Sequence, residues 1–241
     1  MNIILTTFNR YDYLKPSLES LYRSEFAEAD VIWIYDDNSD KEVKELLLTY
    51  ENSTAPKTEL HFNNENLGCD LNVYRSIKKT LEKTNEDFIV VTDSDALYNS
   101  GWLSFIKKEL AWHGNKVGML SAFNTDGHPT KHEFSKTLVK KGGVGGLAVA
   151  LNRKVFDLID PTLVLPGHSC FCWDWQFIEL CNNMNYDILC SKDSYVEHIG
   201  KFGVHSMGRT DLAQNFLGAN LAYEEKESSL SDYIMKGYEN L

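Results

Sequence analysis

The tripeptide Asp93-Ser94-Asp95 carries the sharpest chemical signal in this chain of 241 residues. It sets two carboxylates at alternate positions directly after the apolar run Phe88-Ile89-Val90-Val91-Thr92. Paired carboxylates at a strand end suit a hard divalent ion, Mn²⁺ or Mg²⁺, which takes oxygen ligands and commonly shares its coordination with phosphate groups. The same tripeptide also occurs as a plain solvated turn, and its place after a strand is what favours the ion. Asp36-Asp37-Asn38-Ser39 follows another apolar run in the same way, Asp174 lies between Trp173 and Trp175, and His198 and His205 fall close together. A lone histidine is usually a surface or satisfied core residue, whereas two near a metal loop invite a ligand role. The run Gly142-Gly143-Val144-Gly145-Gly146 lacks the strand-then-helix context of a phosphate loop, so Gly145 and Gly146 are expected to let backbone approach a ligand closely. Cys172 and His168 are the one tempting nucleophile pair, and nothing orients them.

For these groups to act together, the elements that carry them must end at one place. The first third of the chain alternates short apolar runs with helical periodicity, as a βαβ sheet requires. Asn2 to Thr7 reads as a strand, followed by Leu18, Leu21 and Tyr22 at helical spacing. Val31 to Tyr35 is β-branched and aromatic throughout, which suits a strand buried on both faces. Ser39 or Asp40 is placed to cap a helix carrying Val43, Leu46, Leu47 and Tyr50 on its apolar stripe. A third strand over Glu59 to Phe62, a turn over Asn63 to Gly68, a helix over Leu71 to Leu81 and a fourth strand over Asp87 to Thr92 continue the pattern. Ligands of open α/β sheets bind beyond the carboxyl ends of the strands, so the loops at 6–10, 36–39, 63–68 and 93–95 are expected to converge on one crevice. Further on, the pattern predicts a helix over Trp102 to Trp112 and strands over Val117 to Phe123, Phe134 to Val139 and Leu147 to Leu151. A short helix at Val155 to Ile159, a helix over Asp174 to Asn182 and a last strand over Tyr186 to Cys190 follow.

The composition, 43% hydrophobic and 24% charged, is that of an ordinary globular protein and excludes the disordered and fibrous classes. A net charge of −11 argues against a protein that grips nucleic acid mainly through its phosphates, which needs a basic face. It is compatible with recruiting a divalent cation. No stretch approaches the roughly 18 apolar residues of a membrane span, and no signal peptide is evident, so the chain reads as cytoplasmic. Five cysteines, an odd number, read as reduced.

Taken in order, these segments resemble a known family. Thr6-Thr7-Phe8-Asn9-Arg10, Tyr35-Asp36-Asp37-Asn38-Ser39 and Asn66-Leu67-Gly68 look like the nucleotide half of a family 2 glycosyltransferase of the GT-A fold. Phe88 to Leu97 with Gly101-Trp102-Leu103 is similar to that family's metal-binding strand, and Gly142 to Phe156 to its glycine-rich segment. Asp174 lies where the family has its catalytic acid, and Val196-Glu197-His198 with Gly203 to Ser206 resembles its closing histidine segment. The resemblance covers residues 1 to about 206. It implies an α/β chain with a Rossmann-like, mixed, mostly parallel sheet flanked by helices, with a nucleotide-binding half at 1–97, an acceptor and catalytic half at 98–206, and a helical tail at 207–241.

It further implies a metal-dependent transfer of a sugar from a nucleoside diphosphate sugar, UDP-sugar favoured, to an acceptor hydroxyl. Asp95 would be the direct ligand of Mn²⁺ or Mg²⁺, Asp93 would contact the ribose or a metal-bound water, and His198 or else His205 would add a ligand or a phosphate contact. Asp37 would accept a hydrogen bond from the base, with Thr7, Asn9, Asn66 and Ser94 lining the nucleotide pocket and Arg10 and Arg75 as phosphate partners. For inversion, Asp174 would serve as general base, with Trp173 and Trp175 as a platform for a sugar ring. Here the chain departs from the family, with Trp173 where an acid is usual and Gln176 where another acid is common. Three rival readings are a retaining transferase, a nucleotide-sugar-binding protein without chemistry, and an enzyme whose acceptor is a modified nucleic acid. For the last, Lys131, Lys136, Lys140 and Lys141 would form a local basic strip.

Overall fold

The computed structural model describes residues 1–51, 53, 55–160, 162, 173–201, 211–218 and 221. The start of the chain folds as its pattern predicts. β1 (Asn2–Thr7), β2 (Val31–Asp36), β3 (Lys57–Phe62) and β4 (Phe88–Asp93) alternate with α1 (Tyr11–Leu21), α2 (Lys41–Leu48) and α3 (Cys69–Lys83). The four strands are parallel neighbours in the order β3-β2-β1-β4. Their apolar residues face helices on both sides, and Ile3, Ile4, Leu5, Ile32 and Ile34 are wholly buried. Each such side chain contributes about 1.5–3 kcal/mol by leaving water. The sheet divides two clusters: Leu14, Leu18 and Leu21 of α1 pack on one face, and Val73, Ile77 and Leu81 of α3 on the other.

Registration fixes where the strands stop. Thr7 pairs with Asp36, Asp36 with Phe62, and Thr6 with Asp93, so the four strand ends and their loops lie along one edge, as the sheet rule requires. Beyond β4 come β5 (Ala96–Tyr98), α4 (Trp102–His113), β6 (Val117–Ser121), β7 (Thr130–Glu133), β8 (Leu138–Lys141), β9 (Val149–Asn152), α5 (Arg153–Phe156), α6 (Trp173–Asn183), β10 (Asp187–Ser191) and β11 (Val196–His198). The main sheet runs β3-β2-β1-β4-β9-β6-β10-β8-β7, and within it β8 and β9 oppose the other strands. The fold is therefore α/β with a mixed, mostly parallel sheet.

Three expectations change. The single strand expected over Phe134 to Val139 is a turn followed by the start of β8, because the Ser135 hydroxyl accepts the N–H groups of Thr137 and Leu138 and reverses the chain there. The strand expected to reach Phe123 stops at Ser121, whose hydroxyl takes the Phe123 N–H in place of a ladder partner. The basic strip does not form as expected either: Lys141 is buried, its ammonium donating to the carbonyls of Thr125 and His128, and Lys140 pairs with Asp187. Much of the tail falls outside the described residues, as do His168, Cys172 and His205. Among the described residues no helix is long and apolar enough to cross a membrane.

Candidate active site

β4 delivers Asp93 at its last position and Asp95 one turn later, just before β5. β5 pairs antiparallel with β11, with His198 opposite Ala96, and the Ile199 N–H donates to the Asp95 carbonyl at 2.9 Å. This small second sheet carries His198 to Asp95, so that Nε2 stands 3.3 Å from Oδ2. On the other side α1 holds β5, with Ser20 Oγ accepting the Tyr98 N–H at 3.2 Å. At the start of that helix the Arg10 guanidinium donates to the same Asp95 oxygen at 2.6 Å. The chain closes over the pair at Gly200, where a Cβ would lie 1.9 Å from Asp95 Oδ2 and 2.7 Å from an Arg10 nitrogen. Gly200→Ala is accordingly expected to force the Arg10–Asp95 contact apart and lower stability by about 1–3 kcal/mol, an overpacking cost that denaturant unfolding would read. An alanine variant as stable as the parent would show that the backbone has room to give.

The electrostatics divide the two acids. Burial alone would raise Asp95, but His198 and Arg10 beside it outweigh that and hold its carboxyl well below the usual range. Burial and the neighbouring Asp95 push Asp93 up, with a further contribution from Asp174, and Arg10 and His198 only partly offset this. Burial would lower His198, yet the Asp95 carboxylate more than compensates and raises it. Asp93 is thus the acid still short of positive charge, and Asp174 is close enough for its field to be felt there.

Among the described residues no three His, Cys, Asp or Glu side chains converge tightly enough to hold an ion unaided. The Asp95–His198 pair still fits a divalent ion, because two adjacent ligands at about 2.1 Å from one octahedral centre lie roughly 3 Å apart. With two protein ligands, an ion would complete its shell from water and a ligand's phosphates, the arrangement Mg²⁺ and Mn²⁺ commonly adopt.

The neighbouring loops build the rest of the crevice. Asp37 is 2% exposed. Its carboxylate accepts from Asn63 Nδ2 and the N–H groups of Leu67 and Gly68, each at 2.9 Å, so it clamps the 63–68 loop. Gly68 has φ +78, which favours glycine there, and its N–H also meets Asn66 Oδ1 at 2.8 Å. Directly after this loop, Asp70 of α3 accepts the Trp173 N–H at 3.0 Å and so caps α6 from a distant part of the chain. Asp174 follows at the start of α6, half-buried, with Oδ1 accepting the Trp175 N–H at 2.9 Å. Thr7 is buried and its hydroxyl lacks a partner among the described residues, and Asp36 Oδ1 beside it in register is likewise unpartnered among them. Asn9 ties the end of β1 to the start of α2, accepting the Asp40 N–H and donating its own N–H to Ser39 Oγ.

The structure separates the two tryptophans. Trp175 is 56% exposed beside Asp174 and offers a face to a ligand, whereas Trp173 is 6% exposed. The Trp173 indole fills the space that a side chain at Gly146 would occupy, with a Cβ there 2.6 Å from the ring, so it packs in the core and cannot serve as a platform. Ser94 is buried between Asp93 and Asp95, Arg75 lies exposed on α3, and Gly145 lies nearest His128. Asp70 and Gly200 were not among the residues singled out by sequence. An acid in the first turn of a helix looks like local capping, and a lone glycine carries no signal of what packs on it.

Many solved structures share the fold, and three of them represent it. They are TarS of S. aureus in complex with UDP-GlcNAc (17% identity, TM-score 0.61, covering 84% of this chain and 61% of that one), and the mannosyltransferase PcManGT of Pyrobaculum calidifontis in complex with GDP-Man and Mn²⁺ (16%, 0.56, 78% and 53%). The third is GalNAc-T7 with UDP, GalNAc and Mn²⁺ (13%, 0.62, 85% and 44%). All are glycosyltransferases of the GT-A type. The chain spans between about two-fifths and three-fifths of their lengths. No curated protein is detectably similar in sequence. The sequence pattern described as "Glycosyl transferase family 2" matches residues 2–157, well over half of the chain and the part that carries β1 to β9 and the paired acids, and so this chain belongs to glycosyl transferase family 2.

Proposed function

We propose that this chain transfers a sugar from a nucleoside diphosphate sugar to an acceptor hydroxyl, with inversion at the anomeric carbon. The observation that carries the reading is the meeting of Asp95, His198 and Arg10 at the carboxyl edge of the sheet, beside Asp93 at the end of β4, whose carboxyl also feels the charge of Asp174. Asp95 and His198 would hold the divalent ion, and Asp93 is the acid best placed to hold its water or the ribose. When bound, the ion supplies positive charge to the departing diphosphate. Asp174 takes the proton from the acceptor hydroxyl as that oxygen forms its bond to the anomeric carbon and the bond from that carbon to the phosphate oxygen breaks. Trp175 offers the acceptor sugar a ring to stack on.

Asp37 is the residue we read as accepting a hydrogen bond from the base, an N–H that uracil and guanine both offer. A carboxylate has about four acceptor sites, and its Oδ2 receives only the Gly68 N–H among the described residues, which leaves capacity for an imide N–H. The relatives with UDP-GlcNAc and with GDP-Man keep both bases in the test. A donor screen reading released nucleoside diphosphate, with and without Mn²⁺, is expected to show ion-dependent release from a UDP-sugar, and the product's anomeric configuration is expected to be inverted. Retention would exclude Asp174 as the base of a single displacement. Donor binding without turnover would reduce the chain to a nucleotide-sugar-binding protein.

A further inference from the structure

Arg10 is not an ordinary partner for Asp95. NH1 donates to Oδ2 at 2.6 Å and the guanidinium lies 4.6 Å over the Tyr13 ring, while Nε and NH2 are buried without any hydrogen-bond partner among the described residues. A guanidinium has five N–H donors and no acceptor, so this arrangement leaves part of a strong anion-binding fork unused inside the protein. The backbone delivers it there deliberately. Asn9 and Arg10 are consecutive residues in the left-handed region, at φ 51 and φ 59, held by the Asn9 contacts to Ser39 and Asp40. Gly200 then roofs the pair, since no side chain fits between it and either partner.

We propose that Arg10 is a displaceable counter-ion of Asp95. In the empty site it neutralises that carboxylate, and when a divalent ion takes Asp95 the guanidinium is released and its fork turns to the diphosphate of the donor. The inference rests on the reading of Asp95 as an ion ligand. A divalent ion and a guanidinium at one carboxylate oxygen repel each other at close range, so each weakens the other's hold. A diphosphate relieves that conflict, because it accepts the paired N–H groups of arginine and brings the charge the released cation needs. Ion and nucleoside diphosphate must then strengthen each other's binding by the same factor.

The test is Mn²⁺ binding read by electron paramagnetic resonance, in which bound ion loses the six-line signal of free ion. The full chain and its R10Q, R10K and D95N variants are titrated alone and with UDP or GDP. R10Q is expected to bind Mn²⁺ alone about tenfold more tightly than the parent, within the range typical of coupling between sites, and to gain less from the nucleotide. R10K keeps the charge but loses the fork, so it should fall between the two; it decides the matter if R10Q does not fold. D95N should bind no Mn²⁺ under either condition. If the parent binds Mn²⁺ and neither arginine variant binds it more tightly, Arg10 is a fixed structural partner and the proposal is overturned while the ion-ligand reading stands. If the parent binds no Mn²⁺ even with UDP or GDP, the reading of Asp95 as an ion ligand fails, and the proposal falls with it.

Discussion

Asp95→Asn is expected to lower turnover by about 10³-fold or more, comparable to or beyond the loss of one oxyanion-stabilising donor in a buried site. The side chain is nearly isosteric, so the crevice keeps its shape while the charge that would hold the ion is gone. Stability should also fall, by about 3 kcal/mol, because Arg10 and His198 are left facing each other across a neutral amide in a buried position. The two effects separate experimentally: thermal unfolding gives the stability loss, and turnover measured well below the transition gives the chemistry. Added Mn²⁺ should not restore the variant. An Asp95→Asn chain that turns over like the parent would remove Asp95 from the reaction and leave the Arg10–His198 arrangement as scaffolding.

The second large effect is expected at the start of α6. Asp174→Asn should reduce turnover by about 10²–10⁴-fold, the contribution of a positioned general base, with nucleoside diphosphate and Mn²⁺ binding unchanged. The fold should tolerate the change, since the asparagine carbonyl can still accept the Trp175 N–H that Asp174 Oδ1 accepts at 2.9 Å. That retained bond is why Asn rather than Ala is the informative substitution. Single-turnover kinetics with saturating donor would place the loss in the transfer step. Wild-type turnover in Asp174→Asn would exclude it as the base and direct attention to Asp93, the acid short of positive charge.

How much of this site was legible in the residues depends on how far apart the partners are. The strands β1 to β4 end in Thr7, Asp36, Phe62 and Asp93, and their convergence follows from apolar runs and parallel pairing alone. The role of Asp37 was only partly visible. Its type and place mark it as a polar strand end, but the three hydrogen bonds with which it clamps residues 63–68 depend on how that loop returns to β2. Trp173 and Trp175 look alike in sequence, and only the helix phase of α6 against Gly146 buries one and exposes the other.

The alternation of strand and helix and the placing of acids at strand ends are legible in the residues, because both are written in local periodicity and in residues next to one another. The tertiary structure decided what those acids meet. His198 reaches Asp95 through the pairing of β11 with β5, Arg10 reaches it from the start of α1, and Asp70 caps α6 from α3. Each contact joins segments far apart in the chain, and its geometry is set by the packing of whole elements, which no local pattern encodes.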